Sequence, residues 1–150
     1  MRDERGRPCV GDLLEKSTNR LFPIGRLDAQ TTGLLLCTSD GELGRNLAHP
    51  SSQVERTYRV TVAGKAAREA LRRLGARTVI QSAHGTRFEM TLTSGANREI
   101  RRACAQQGLR VVSLERIAFG SVVLGDLAPG NYRTLSERET RRLRDLKGTT

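Results

Sequence analysis

Apolar and polar positions along the chain follow two periods. In 57–64, Tyr58, Val60 and Val62 alternate with Thr57, Arg59 and Thr61, which predicts a half-buried strand. The same alternation returns in 87–95 through Phe88, Met90 and Leu92. Helical spacing takes over between and after them. Ala67, Ala70, Leu71 and Leu74 share one side of 65–75, with Gly75 at the stop, and Ile100, Ala103, Cys104 and Gln107 share one side of 97–108, between Asn97 as N-cap and Gly108. Ser39 stands three residues before Glu42, and Ser136 three before Glu139, so capping-box helices are predicted over about 41–48 and over 136–146, the latter docked through Leu143 and Leu146.

The remaining segments are less regular. A charged, glycine-rich arm (1–12) leads to a short helical turn at 13–17. Pro23 and Gly25 argue for a loop through "RLFPIGRLDAQTTG", which Gly33 closes before a buried strand, "LLLCT". Residues 109–127 hold at least two β-branched runs broken at Gly120. Several strands follow one another without a strict βαβ rhythm. The fold class is therefore α+β: a mixed, largely antiparallel sheet with packed helices.

Length and chemistry narrow this further. A chain of 150 residues fits one domain, 1–150, read as a monomer. No apolar run approaches membrane-spanning length and "MRDERGRPCVGD" is no signal peptide, so no membrane partner and a reducing, cytoplasmic setting are expected. Cys9, Cys37 and Cys104 form no CxxC pair, and His49 and His84 lack ligand spacing, so no metal site is expected. The net charge of +10 and pI near 10.9 point to a polyanion as partner. Only Lys16, Lys65 and Lys147 are lysines; the other cations are arginines, suited to gripping phosphates. With 3% aromatics and no tryptophan, a single-strand binder built on stacking is disfavoured.

Three clusters carry candidate chemistry. Asp28 is a carboxylate beside Arg26 in "GRLDAQTTG"; it either caps a turn or pairs with Arg26, or serves in a cationic cleft as nucleophile or electrostatic stabiliser. Arg98, Arg101 and Arg102 begin a helix whose other side is apolar. They form a solvated face, or they grip phosphate while Arg101, next to Ile100 at the border of the buried side, turns in towards a carboxylate. Tyr58, on the buried side of its strand, is a core tyrosine or a phenol placed for proton transfer or base stacking.

Taken in order, "FPIGRLDAQTTGLLLCTSDGEL" with "AHP", then "ERTYRVTV", then "SGANREIRRACAQQGLRVVSLERIAFGSVVLGDLAPGNYRTLSERE" make the chain resemble the RsuA-like branch of the ribosomal RNA pseudouridine synthases. The resemblance implies a pseudouridine synthase catalytic-domain fold that isomerises a uridine in ribosomal RNA after flipping it out, with no cofactor or metal. It implies Asp28 as nucleophile, Tyr58 over the target base as a candidate general base, and Arg101 in a salt bridge with Asp28. Arg26, Arg56, Arg98 and Arg102 are the expected RNA-binding residues. Typical relatives begin with a small RNA-binding module and a strand carrying Lys-Pro-Gly, both lacking here, so a truncated catalytic domain with an exposed sheet edge or a substitute partner is expected. The stretch after Leu74, "GARTVIQSAHGT", reads as a shortened connection, and Glu99 replaces a glutamine beside the arginines. These departures leave an alternative from another class, a non-catalytic ribosomal RNA-binding or assembly factor.

Overall fold

The computed structural model describes residues 10–14, 20–95 and 98–146. Asn97, expected as an N-cap, lies outside the described residues, as does most of the turn expected at 13–17, of which the helix α1 (Val10–Leu14) is the described part. The chain forms two compact units.

The unit made of residues 27–34 and 53–125 is built on a six-stranded sheet. Its strands are β2 (Thr32–Gly33), β4 (Arg56–Ala63), β5 (Arg77–Gln81), β6 (Gly85–Leu92), β7 (Val111–Phe119) and β8 (Val122–Val123). They run in the order β2-β7-β4-β6-β5, with β8 also on β7. Every pairing is antiparallel except β2 with β7, which is parallel. This is the mixed, mostly antiparallel sheet that the alternation predicts. Val60, Val62, Phe88, Met90 and Leu114 project to one face and pack with Ile100 and Cys104 of α4 (Glu99–Gln106) and Leu71 of α3 (Arg68–Arg73). Phe88, Val60, Val62 and Cys104 are completely buried. Removing an aromatic or aliphatic side chain from water in this way is worth about 2 kcal/mol each, which is what holds the helices to the sheet.

One buried hydroxyl completes the link between β4 and α3. Thr86 accepts from the Ala66 amide at 2.9 Å and donates to the Gly64 carbonyl at 2.9 Å, so both polar groups of that turn are satisfied inside the protein. On the other face, Thr57 meets Thr91 at 3.0 Å and Arg59 bridges to Glu115 at 3.0 Å. The β4–β7 pairing slips between Thr57 and Tyr58, leaving Ile117 as an extra residue. That bulge puts Arg116 opposite Tyr58, on the same face.

The unit made of residues 1–26, 35–52 and 126–150 contains a two-stranded antiparallel ladder, β1 (Phe22–Pro23) with β3 (Cys37–Thr38), on which α2 (Gly41–Ala48) packs. The Ile24 amide donates to the Leu36 carbonyl at 2.7 Å. A Cβ on Gly44 would come within 3.2 Å of Phe22 and Thr38, so α2 lies on the ladder at a distance that glycine sets. The N-cap of α2 is Asp40, not Ser39: its carboxylate accepts from the Glu42 and Leu43 amides at 3.1 and 3.0 Å. In α5 (Glu137–Asp145) the expected capping box does form, Ser136 and Glu139 bonding reciprocally, with Leu143 buried. Arg133 and the Ser136 amide hold the Glu139 carboxyl down at about 2.

Two expectations are revised. "LLLCT" is not one strand: Thr32–Gly33 pair with β7, Cys37–Thr38 pair with β1, and Leu34–Leu36 link the two. The stretch read as a shortened connection contains β5, which pairs with β6 at the edge of the sheet and leaves Ile80 58% exposed.

Gly33 has φ +103°, and a Cβ there would sit 2.3 Å from the Arg116 carbonyl oxygen, so Gly33→Ala is expected to cost about 3 kcal/mol in urea unfolding. Ser136→Ala should cost about 1 kcal/mol at neutral pH. The depressed Glu139 carboxyl contributes fully above its ordinary 4.5 and less as pH falls towards about 2, so the stability gap between wild type and Glu139→Gln should close on acidification.

Candidate active site

Asp28 sits on the loop between Gly25 and β2, half-buried. Its backbone carbonyl accepts from the Thr31 amide at 3.0 Å, and its Oδ1 accepts from the Gln30 amide at 2.9 Å. The turn is thus closed by the aspartate's own backbone and side chain, with the second carboxylate oxygen left over.

Two arginines of α4 hold this turn from outside. Arg101 Nη2 donates to the Gln30 carbonyl at 2.7 Å, and Arg98 Nη2 donates to Gln30 Oε1 at 3.1 Å. Arg98 heads the helix with φ +58°, a left-handed conformation that a non-glycine residue adopts at a cost of about 1 kcal/mol or more. The salt bridge implied between Arg101 and Asp28 is not formed: among the described residues, Arg101 reaches the turn through the Gln30 backbone, two residues on from Asp28. Its Nε is buried without a partner among them.

β2 and β7 hold the turn from inside. The Leu34 amide donates to the Arg116 carbonyl at 2.8 Å, and Arg116 Nε donates back to the Leu34 carbonyl at 2.8 Å. Arg116 is only 2% exposed and its Nη2 has no partner among the described residues. Arg116 and Arg56 both lie over the Phe119 ring, 5.6 and 5.1 Å from its centroid. Arg56 Nη1 donates to the Val54 and Thr93 carbonyls at 3.1 and 3.0 Å. Burial pulls the Arg56 guanidinium below its ordinary value; Tyr58 opposes that shift and Arg116 adds to it. A guanidinium starts so high that both remain cations. Tyr58, opposite Arg116 and half-buried against the core, therefore stands beside two fixed positive charges.

The other expected residues divide by location. Arg102 is exposed on α4, and Arg26 is exposed in the other unit. Arg56, expected to meet RNA, is 5% exposed and committed to backbone carbonyls, so it supports the sheet beside Tyr58 and offers little surface to a phosphate. Glu99, next to Arg98, accepts from the Ser94 hydroxyl. Sequence reasoning passed over Gln30, Arg116 and Phe119. Gln30 carries no signal. Arg116 does, since it lies two residues from Leu114 and so shares the inward parity of its strand. The free thiols are chemically quiet: burial raises Cys37 and pushes Cys104 up to about 11, against the opposing charge of Arg101. Among the described residues no three His, Cys, Asp or Glu side chains converge as metal ligands, and no helix is long and apolar enough to cross a membrane.

The chain is similar to known proteins. Residues 6–106 match the RNA pseudouridylate synthase family, to which the chain belongs. An uncharacterised RNA pseudouridine synthase of Mycobacterium tuberculosis is 41% identical across 99% of this chain and 65% of its own length. The ribosomal large subunit pseudouridine synthase B of Bacillus subtilis is 34% identical across 96% of this chain and 66% of its own length; that of Pseudomonas aeruginosa is 40% identical across 91% and 40%. A crystal structure of a pseudouridylate synthase superposes with a TM-score of 0.69 at 30% identity, covering 82% of this chain and 59% of that one. The chain thus spans about two thirds or less of the length of these relatives.

Arg101→Met is expected to release the Gln30 carbonyl. Hydrogen exchange of the Gln30 and Thr31 amides should quicken about tenfold, the equivalent of one lost charge-assisted bond of about 1.4 kcal/mol, while core amides of β4 and β6 stay protected.

Proposed function

We propose that this chain carries the catalytic part of an RNA pseudouridine synthase, with ribosomal RNA as substrate and Asp28 as the nucleophile. The observation that carries the reading is the doubly held turn. Arg101 and Arg98 fix Gln30 from one side and Arg116 fixes Leu34 from the other, which pre-positions one carboxylate in strongly cationic surroundings. The Bacillus and Pseudomonas relatives bear the name of ribosomal large subunit synthases, which supports large-subunit RNA as the first substrate to test.

The chemistry is an isomerisation. The N-glycosidic bond breaks, the uracil turns, and a ring carbon bonds to the sugar; that carbon loses a proton and the released nitrogen gains one. Atoms and electrons balance within the nucleotide. A uridine within structured RNA has to leave its stack to reach a side chain anchored on a sheet. Asp28 attacks either the pyrimidine ring or the sugar, and both routes need the same fixed position. Tyr58 lies against the base and is the candidate to move the carbon-bound proton. Arg56 and Arg116 set the field around it from below. Arg26, Arg98 and Arg102 contribute phosphate contacts from the surface.

Asp28→Asn keeps the turn's acceptor oxygen and removes the nucleophile. It is expected to abolish pseudouridine formation while leaving RNA affinity within about twofold, since one surface charge changes. Sequencing of pseudouridines in ribosomal RNA, with wild type and variant compared, checks this. Identical modification maps would overturn the catalytic reading in favour of a non-catalytic RNA-binding role.

A further inference from the structure

We propose that an open recess at the end of α4 is a binding site for a backbone phosphate of the RNA, with Arg110 as the residue that completes it. The proposal rests on the RNA-modifying reading above. The recess has a volume of about 380 Å³ and is lined by Arg98, Arg101 and Arg110, with Ala105, Gly108 and Leu109 between them.

Three arginines line this recess, and no Asp or Glu is among its described lining residues. Elsewhere the chain spends its acids on its arginines: Glu69 bonds Arg72 and Arg73, Glu115 bonds Arg59, and Glu139 bonds Arg133. Glu99, the nearest acid in sequence to Arg98, accepts from the Ser94 hydroxyl and is not among the residues lining the recess. Arg98 and Arg101 each give one N–H group to Gln30, which fixes the two side chains and leaves donors over. Arg101 Nε is buried without a partner among the described residues. Arg110 also lines it, on a backbone that is itself pinned, since its carbonyl accepts from the Ala63 amide of β4 at 3.0 Å. Gly108 ends the helix with φ +71°, and nothing lies within 4 Å of where its Cβ would be, so the approach stays open. Fixed cations with spare donors suit a phosphate. An open recess suits one that arrives on a larger body, because it cannot enclose a small anion. Arg98 and Arg101 also hold the Asp28 turn, so a phosphate bound here lies on the strand whose base reaches Asp28.

Binding of a large-subunit ribosomal RNA transcript is measured on the full chain carrying Asp28→Asn, across about 50 to 200 mM salt. Arg110→Ala is expected to lower the slope of log affinity against log salt by about 0.7, one single-strand phosphate contact, and to weaken binding about fivefold. Arg110→Lys should restore most of the slope. Arg72→Ala removes the same formal charge from a site paired with Glu69 and should leave the slope unchanged. A wild-type slope for Arg110→Ala overturns the proposal, as does an equal loss in Arg72→Ala, which would reduce the effect to bulk charge. Titration with inorganic phosphate, read by NMR at the arginine Nε signals, separates the sources. Saturation of the three arginines by free phosphate with an unchanged RNA slope overturns the RNA assignment. Failure of wild type to make pseudouridine sinks the catalytic reading but leaves this slope test standing.

Discussion

The reciprocal bond between Leu34 and Arg116 is the constraint on which the site depends. One peptide of β2 gives its amide to the Arg116 carbonyl and receives the Arg116 guanidinium on its own carbonyl. Gly33 brings the two backbones closer than any side chain would permit. β2 is only two residues long, too short to hold itself in place through ladder bonds alone. The arginine supplies a side-chain bond where a longer strand would supply backbone ones. The Asp28 turn immediately precedes this anchor, and the α4 arginines need only hold its far end.

The same residue shows how a chain of net charge +10 uses its cations in different ways. Some neutralise carboxylates on exposed surfaces, where each pair is worth little. Arg56 and Arg116 are buried on Phe119, with carbonyl oxygens as their recorded acceptors. Burying a cation in this way is costly unless its donors are used, and backbone carbonyls together with the face of an aromatic ring offset much of that cost. The arginines at the head of α4 form a third class. They are pinned by Gln30, each through one N–H group.

Periodicity was a good guide where burial is one-sided. β4, β6 and α4 show it, because each has one face on the core and one in water. It failed at β5, whose residues are all exposed and therefore carry no alternation; only the β-branched run at Thr78, Val79 and Ile80 marks it. It also failed at Leu34–Leu36, where a run of leucines reads as a strand but the chain passes from one ladder to another. Capping chemistry showed the same limit. Ser39 and Asp40 are adjacent capping residues, and Asp40 is the one whose carboxylate meets the first free amides of α2. Arg56, expected among the RNA-binding residues, shares the inward parity of Tyr58 and Val60 and is buried.

The sequence by itself determined the class of fold, the basic character that calls for a polyanion, and which residues to propose for the site: Asp28, Tyr58 and Arg101 are legible as candidates because their motifs are local and ordered along the chain. Tertiary structure alone decided how those residues are held. That Arg101 grips the Gln30 carbonyl, that Arg116 lies opposite Tyr58 after a one-residue bulge, and that Arg110 and Arg98 line one recess all depend on contacts between distant segments. Such contacts are set by strand register and helix placement, which arise when the whole core packs and leave no trace in the spacing of any one segment.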